Sequence, residues 1–461
     1  LPEEIFDRSD IRVLSHDWRW STVEAQTSGV EWLSHQSEIE WIEPKFEMKI
    51  LNDEADSVMA ADVLQSAVAM AGINSAWNGL DGTGVIVAVA DTGLDNGVNN
   101  SNMHPDFKDH IVGIHDYPID PSLSSFVVST ASDGASDLDS GHGTHVAGSV
   151  LGDGTQSSGV IKGLAPEAGL YMQATEVYVD WTTAAQNTYG LTDGYELRGI
   201  PADLADMYDQ AAANGSNIHT NSWGSSVNGQ YTTSSMQSDY SARNHTEMLI
   251  LFAASNDGVD ANGDGEIDHD SLGAPGSSKN VLTVGASENN RPTINYIWGS
   301  GSNPIYNDLR SNNTEGMAAF SSRGPTDDNR QKPDVSAPGT DILSTRSRSA
   351  SGTGWGTHSN TDYLYMGGTS MATPLTAGAA ALLYQHMAVN LNNSNPSSAL
   401  MKGIIVTSSR DMTGQYGSAT NGAGEPAPNY HEGWGLVDLD RAVNTSWIDG
   451  DSVNTGDSLG W

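Results

Sequence analysis

Three short runs constrain this chain more than anything else in it. Val85–Ala90 (VIVAVA), Met248–Ala254 (MLILFAA) and Val281–Val284 (VLTV) are apolar or β-branched almost throughout, and each runs on into Gly, Asp or Ser within two residues. A strand without a polar face has to be covered on both sides, so these runs read as buried strands. Between them lie helical stretches at Gly143–Leu151, Leu204–Asn214, Thr373–Met387 and Pro396–Thr407. Strands alternating with helices predict an α/β chain with a mainly parallel sheet between two layers of helices. Ligands gather at the carboxyl ends of the strands in such sheets, so chemistry is expected there.

Composition narrows the function. Lys and Arg number 20 against 58 Asp and Glu, a net charge of −38. That excludes a protein that tracks nucleic-acid phosphates, which needs a basic face. An acidic surface suits a secreted protein and offers a place for calcium, although plain colloidal solubility explains it as well. No run approaches the ~18 apolar residues of a membrane-spanning helix. The absence of cysteine excludes disulfides, thiol nucleophiles and thiolate metal sites. The first residues are Leu1 and Pro2, without a signal sequence, so upstream residues are expected to have been removed or omitted.

Residues 1–51 form a first unit, with Trp18, Trp20, Trp32 and Trp41 and a strand-like alternation over Ile39–Phe46. Asn52–Ser57 (NDEADS) reads as a linker and 52–461 as the main domain, with a loose polar tail after Asn444.

Four segments carry polar chemistry. Val89-Ala90-Asp91-Thr92-Gly93 ends a buried strand on an acid. In Gly141-His142-Gly143-Thr144-His145 a histidine flanked by glycines opens a helix. Gly368-Thr369-Ser370-Met371-Ala372-Thr373-Pro374 puts a serine at a glycine-led turn into a helix of small residues. Taken singly these also fit an Asx turn, a metal-binding or idle loop histidine, and a helix N-cap. Taken together they supply an acid, an imidazole and a hydroxyl. A serine hydroxyl attacks only when a base takes its proton, and that base needs a third group to fix its tautomer. Asp, His, Ser is also one of the known chain orders for such triads. The fourth segment, Leu251–Gly258, is a strand ending at Asn256, whose amide suits a developing oxyanion.

At this point VAVADTGLD (87–95), GHGTHVAGSV (141–150), IHTNSWGSSVNG (218–229), LFAASNDG (251–258), FSSRGP (320–325), KPDVSAPGT (332–340), GGTSMATP (367–374) and GWGLVDLD (433–440) together resemble the subtilisin-like serine proteases, the subtilase (peptidase S8) family. The resemblance is nearest to alkaline subtilases with a C-terminal β-barrel, and covers nearly all of residues 52–445. It implies a subtilisin-like three-layer fold and a secreted serine endopeptidase of broad specificity that works as a monomer on proteins or peptides. Asp91 resembles the orienting acid, His142 the general base, Ser370 the nucleophile and Asn256 the oxyanion donor. Ser222-Trp223-Gly224 resembles the edge strand on which substrate lies as an added strand, and Ala254 and Ser255 line the neighbouring pocket. His145 is then a structural helix residue. Ser255 departs from the family, which has Gly there; a side chain alters the pocket, and the backbone too if that Gly used φ > 0. The first unit resembles a propeptide, a small α+β domain in which a helix leads to a last strand. In the family this domain assists folding, inhibits the zymogen and is cut away, here between Leu51 and Asn52.

Asp260-Ala261-Asn262-Gly263-Asp264-Gly265-Glu266-Ile267-Asp268 follows the start of an EF-hand loop, with oxygen ligands at Asp260, Asn262, Asp264, the Glu266 carbonyl and Asp268, and the turn at Gly265. The last ligand position holds Ser271, so Asp270 is the candidate replacement. A structural calcium is expected here; a solvated acidic turn is the alternative. Asp95, Asp137 and Asp139 are weaker metal candidates, the last two reading better as loop solvation near His142. Met371 follows the nucleophile, so peroxide sensitivity is expected unless it is shielded.

Three other readings fit these residues less well. A binding protein on an inactive fold of this kind has no need of Asp91, His142, Ser370 and Asn256 together. A related acid protease replaces the histidine, which is present here. A lipase carries its serine in Gly-x-Ser-x-Gly, unlike Gly-Thr-Ser-Met-Ala.

Overall fold

A computed structural model describes residues 1–16, 20–45, 48–50, 80–291, 293, 295–299, 305–412, 416 and 426–443. The expected junction at Leu51–Asn52, the linker 52–57, Trp18, Phe46 and the tail after Asn444 lie outside the described residues.

The first unit holds β1 (Ile11–His16), β2 (Ser21–Ala25), helix α1 (Thr27–Leu33) and the short β3 (Lys49–Ile50). β1 and β2 pair antiparallel, and Ile5, Ile11 and Leu33 form a small core beneath α1. The strand expected over Ile39–Phe46 is not formed: residues 39–45 carry no regular structure. Pro44 has no N–H for a ladder. The polar residues of the stretch reach other parts of the chain instead. The Glu43 carboxylate accepts the Thr233 N–H at 2.9 Å, and Lys45 ion-pairs with Asp120.

The main domain follows the expected alternation: β4 (Ile86–Asp91), β5 (Ile111–Asp116), α2 (His142–Leu151), β6 (Gly169–Ala174), the hairpin strands β7 (Val177–Val179) and β8 (Gly194–Glu196) around α3 (Thr183–Tyr189), then α4 (Ala205–Ala213). Next come β9 (Ile218–Asn221), β10 (Trp223–Ser226), α5 (Thr233–Asn244), β11 (Leu249–Ala253), β12 (Gly273–Ala274), β13 (Leu282–Ser287) and β14 (Val335–Pro338). The long helix α6 (Thr369–Asn390) and α7 (Ser398–Ser408) complete the layers.

Seven strands form the central sheet in the order β14-β13-β11-β9-β4-β6-β5, with every neighbouring pair parallel. Side chains alternate across it as a two-residue period requires. Val85, Val87, Val89, Leu249 and Leu251 join the core under α2, α6 and α7. Ala88, Ala90, Ile250 and Phe252 join the core under α4, with Ala242 of α5 packed against it. The three-layer expectation therefore holds.

The helix α6 begins at Thr369, four residues earlier than the sequence suggests, which moves Pro374 from its first turn into its second. A proline there cannot bond the carbonyl four residues back, which belongs to Ser370. The Ser222 hydroxyl takes that carbonyl at 2.9 Å. Small residues let α6 lie close to α2: a Cβ on Gly378 would sit 2.8 Å from Leu164 Cβ and 3.0 Å from the Val150 carbonyl.

Candidate active site

Asp91 is the last residue of β4, and His142 the first of α2 after Gly141 turns the chain at φ +75°. Both are wholly buried. His142 Nδ1 donates to Asp91 Oδ1 at 2.6 Å, and the Thr92 N–H donates to the same oxygen at 2.8 Å. This pairing puts the imidazole proton on Nδ1 and leaves the basic lone pair on Nε2, which has no partner among the described residues.

Ser370 lies in the first turn of α6, and its hydroxyl donates to the Ser222 carbonyl at 3.0 Å rather than to His142. Asn256 follows β11, and its Oδ1 accepts from the Thr369 N–H and hydroxyl, both at 2.9 Å. A backbone N–H can only donate, so the amide orientation is fixed and Nδ2 is left as the free donor end. The structure thus joins Asp91 to His142 at the end of β4, and Asn256 to Thr369 beside Ser370 at the start of α6.

The segment expected to bind substrate, Ser222-Trp223-Gly224, leads into β10. The Trp223 ring is buried against Phe252 and its Nε1–H donates to the Ala90 carbonyl at 3.0 Å, so only its backbone serves the edge. That edge already carries a strand. β3 pairs antiparallel with β10, Ile50 against Trp223 and Lys49 against Gly224. On the pocket side, the Ala254 carbonyl accepts from the Gly273 N–H at 3.0 Å. Ser255 is buried at φ +94°, a region that costs a residue with a side chain about 1–3 kcal/mol. The backbone a glycine would favour is thus kept, and the Ser255 hydroxyl is anchored on Asp257 Oδ2, which also accepts from Ser226 Oγ at 2.8 Å.

Several expectations need correction. Asp137 is not a solvated loop acid but fully buried. Its Oδ2 accepts from the Thr144 N–H at 2.8 Å and hydroxyl at 2.6 Å, and its Oδ1 from Thr92 Oγ1 at 3.0 Å. Thr92 Oγ1 in turn accepts the Gly143 N–H at 2.8 Å. The start of the His142 helix is thereby tied to the end of the Asp91 strand, a link that the sequence reading missed. Asp139 is exposed, as expected. Asp95 is no metal ligand: Arg348 Nη2 and the His104 N–H occupy its Oδ2 at 2.8 and 2.7 Å. Met371 is fully buried in the core, so it is shielded and packs as the plain alternative had it. His145 is structural: it is buried, its Nε2 meets the Ile342 carbonyl at 3.0 Å, and burial pulls its pKa down to about 3.

The candidate calcium loop is closed by its own side chains. Asp260 Oδ1 accepts the Gly263 N–H at 2.8 Å, Asn262 Oδ1 the Asp264 N–H at 2.8 Å, Asp264 Oδ1 the Glu266 N–H at 2.9 Å, and Asp268 Oδ2 the Ala261 N–H at 2.9 Å. Gly265 has φ +93°, the sharp turn that the sixth position of such loops needs. This hard-oxygen donor set fits calcium. Asp270 does not face the loop; its Oδ1 lies beside Gly229. Glu266, His269 and His431 also bring ligand atoms within 4.8 Å of one another. However, Arg323 Nε donates to His431 Nδ1 at 3.1 Å. The neutral ring then carries its proton on Nε2, the nitrogen 3.1 Å from His269 Nε2. The pair reads as a hydrogen bond, not a metal cage.

A model of the Subtilase family matches residues 82–435. The chain belongs to the subtilase family. This subtilase is 31% identical over 310 residues to "Subtilisin" of Bacillus sp. (strain TA39), covering 66% of this chain and 57% of that protein. It is 29% identical over 313 residues to "Serine protease AprX" of Bacillus subtilis (strain 168), covering 66% of this chain and 58% of that protein. It is 27% identical over 485 residues to "Serine protease/ABC transporter B family protein tagB" of Dictyostelium discoideum, covering 89% of this chain but 24% of that protein. The chain thus spans less than two thirds of the length of these relatives. The crystal structure of fervidolysin from Fervidobacterium pennivorans aligns with a TM-score of 0.51 at 22% identity, over 87% of this chain and 50% of that one, which shows the shared fold.

Burial pushes the Asp137 carboxyl up to about 6, with Asp91 adding to the rise and Thr144 opposing it. The unfolded chain therefore releases this proton at lower pH than the folded one. The contribution of Asp137 to stability is fully present below about pH 4 and declines as pH rises toward about 6. Asp137→Asn is expected to remove that decline. Urea unfolding of both proteins at pH 4 and pH 7 checks it; parallel pH dependences would contradict it.

Proposed function

We propose that this subtilase is a secreted serine endopeptidase of broad specificity that cuts through an acyl-enzyme. The observation that carries the reading is the buried Asp91–His142 bond of 2.6 Å, which leaves His142 Nε2 without a partner among the described residues. In this reading Ser370 Oγ turns from the Ser222 carbonyl toward His142 Nε2, a bond that commonly tightens only with substrate bound. Oγ attacks the scissile carbonyl carbon as its proton passes to Nε2. The oxyanion is held by Asn256 Nδ2–H and the Ser370 N–H. His142 returns the proton to the leaving amine, and water repeats the sequence to release the acid.

Residues 1–51 act as a propeptide that keeps a zymogen inhibited, and the main domain starts at Asn52. The support is the β3 strand seated on β10, with the chain running toward Ser222, which holds Ser370 Oγ. Glu43 at the N-terminus of α5 and Lys45 on Asp120 fasten the segment before it. We place the self-cleavage at Leu51–Asn52, which makes an apolar residue acceptable just before the cut. Ser222, Trp223 and Gly224 would bind substrate main chain, with Ala254 and Ser255 lining the pocket. Within the family we place the chain beside the alkaline subtilases with a C-terminal β-barrel, on its eight ordered segments, and as a monomer. Its partners are protein or peptide substrates and its own propeptide. A net charge of −38 disfavours nucleic acid, and no helix among the described residues is long and apolar enough to cross a membrane.

The Asp260–Asp268 loop would hold a structural calcium, through the Asp260, Asn262, Asp264 and Asp268 side chains and the Glu266 carbonyl. Bound calcium supplies positive charge that ties the loop together; the loop follows closely on Asn256, so it would stiffen that side of the cleft.

Ser370→Ala is expected to abolish hydrolysis of an unfolded protein. Asn256→Ala should lower kcat by about 10²–10³ with KM little changed, the size known for one oxyanion donor of a subtilisin. Steady-state kinetics on purified variants checks both, and a full rate for Asn256→Ala would count against the reading. Chelation should lower both the melting temperature and activity, and Asp260→Ala should abolish that sensitivity. Identical melting with and without chelator would remove the calcium assignment.

A further inference from the structure

A small side unit of the main domain has no task in the mechanism. It is built from residues 119–128 and 177–196, outside the seven-stranded sheet. Among the described residues β7 and β8 form a two-stranded sheet of their own. The Thr182 N–H donates to the Phe126 carbonyl and the Val128 N–H to the Asp180 carbonyl, both at 2.8 Å, which laces the two stretches together. Ile119, Val127, Val177, Val179, Trp181 and Ala185 give the unit a core apart from the main one.

The first unit of the chain lands on this side unit at three points far apart in sequence. Arg12 of β1 and Glu24 of β2 stand opposite each other, with Arg12 Nη1 3.4 Å from Glu24 Oε2. Both meet an aromatic pair of the side unit. The Tyr189 hydroxyl donates to Glu24 Oε1 at 2.7 Å, and the Arg12 guanidinium lies 5.7 Å from the centre of the Phe126 ring. The Phe126 and Tyr189 rings meet edge-on at 5.9 Å, so the charged pair faces one aromatic surface. The third point is Lys45, which ion-pairs with Asp120 and donates to Ser122 Oγ at 3.0 Å. Asp120 is buried, and its other oxygen accepts the Ser122 N–H at 2.9 Å.

We propose that this side unit is an exosite for residues 1–45 of the chain itself, which holds the first unit on the enzyme after the bond at Leu51–Asn52 is cut and so sets how long inhibition lasts. The proposal rests on the propeptide reading above and adds to it a binding surface separate from the edge of β10.

That edge alone is a weak means of retaining this particular segment. β3 has two residues, and its main-chain bonds to β10 are of a kind that any extended peptide can make. The contacts of Arg12, Glu24 and Lys45 depend on their side chains. A hydrogen bond to an ionised group is about twice as strong as a neutral one, and a guanidinium gains further from an aromatic face. Departure of Lys45 also leaves the buried Asp120 carboxylate without its cation, a cost that falls on the rate of release.

The test uses the full chain with calcium, followed by intact mass, size-exclusion chromatography and hydrolysis of a short peptide. The native chain should be cut first, its two pieces should then migrate together, and peptide hydrolysis should lag behind the cut. Glu24→Gln and Lys45→Met alter only the segment that leaves, so the matured enzyme is the same in each sample. Each should shorten the lag by about fivefold or more. Tyr189→Phe and Asp120→Asn should do the same, with the final rate on the peptide at the native value. Lys45→Met combined with Asp120→Asn should shorten the lag no further than either change alone, because both remove one contact. Pieces of the native chain that separate as soon as the bond is cut, an unchanged lag in both Glu24→Gln and Lys45→Met, or effects of Lys45→Met and Asp120→Asn that multiply would overturn the exosite and leave the peptidase reading intact. A folded native chain that is never cut would overturn the propeptide reading, and the exosite with it.

Discussion

Two serines bonded to each other's backbone join the main parts of this site. Ser222 Oγ donates to the Ser370 carbonyl and Ser370 Oγ to the Ser222 carbonyl, at 2.9 and 3.0 Å. The first bond exists because Pro374 cannot claim that carbonyl, so a helix defect becomes an attachment point. One end of the pair is the first turn of a buried helix. The other is the residue before β10, on whose edge Lys49–Ile50 lies as an added strand. The position of Ser370 and the strand that receives Lys49–Ile50 therefore meet at the same contact.

Around that contact the fold collects negative charge and treats each carboxylate differently. Asp91 is held by an imidazole and a backbone N–H. Asp137 is enclosed by two threonines and links β4 to α2. Glu176 is only 7% exposed and accepts no hydrogen bond among the described residues. The arrangement is local to the strand ends, where the parallel sheet leaves room between loops.

Much of this was legible beforehand, and the exceptions have physical reasons. The runs at 85–90, 248–254 and 281–284 became strands because a sheet covered on both faces leaves few polar choices. Asp91, His142, Asn256 and Ser370 stood out because each sits beside a glycine or a strand end. The start of α6 was misplaced because Pro374 reads as a helix opening, and only the distant Ser222 makes it an interior residue. The stretch 39–46 alternates like a strand, yet Pro44 and the outward reach of Glu43 and Lys45 take it elsewhere. Asp137 looked solvated because its threonine donors lie 45 and seven residues away. The hairpin of β7 and β8, which carries Tyr178 and Tyr195, is too short to show a period. Ser255 at φ +94° was foreseeable only as a departure from a glycine.

The most direct test of the account is whether the segment seated on β10 is cut by the chain's own Ser370. Intact mass should be followed over time for the native chain and for Ser370→Ala, both with calcium, with N-terminal sequencing of any product. The account predicts that only the native chain loses the residues up to Leu51 and exposes an N-terminus at or near Asn52. A folded native chain that keeps its full mass, or a Ser370→Ala chain that is cut at the same bond, would contradict it.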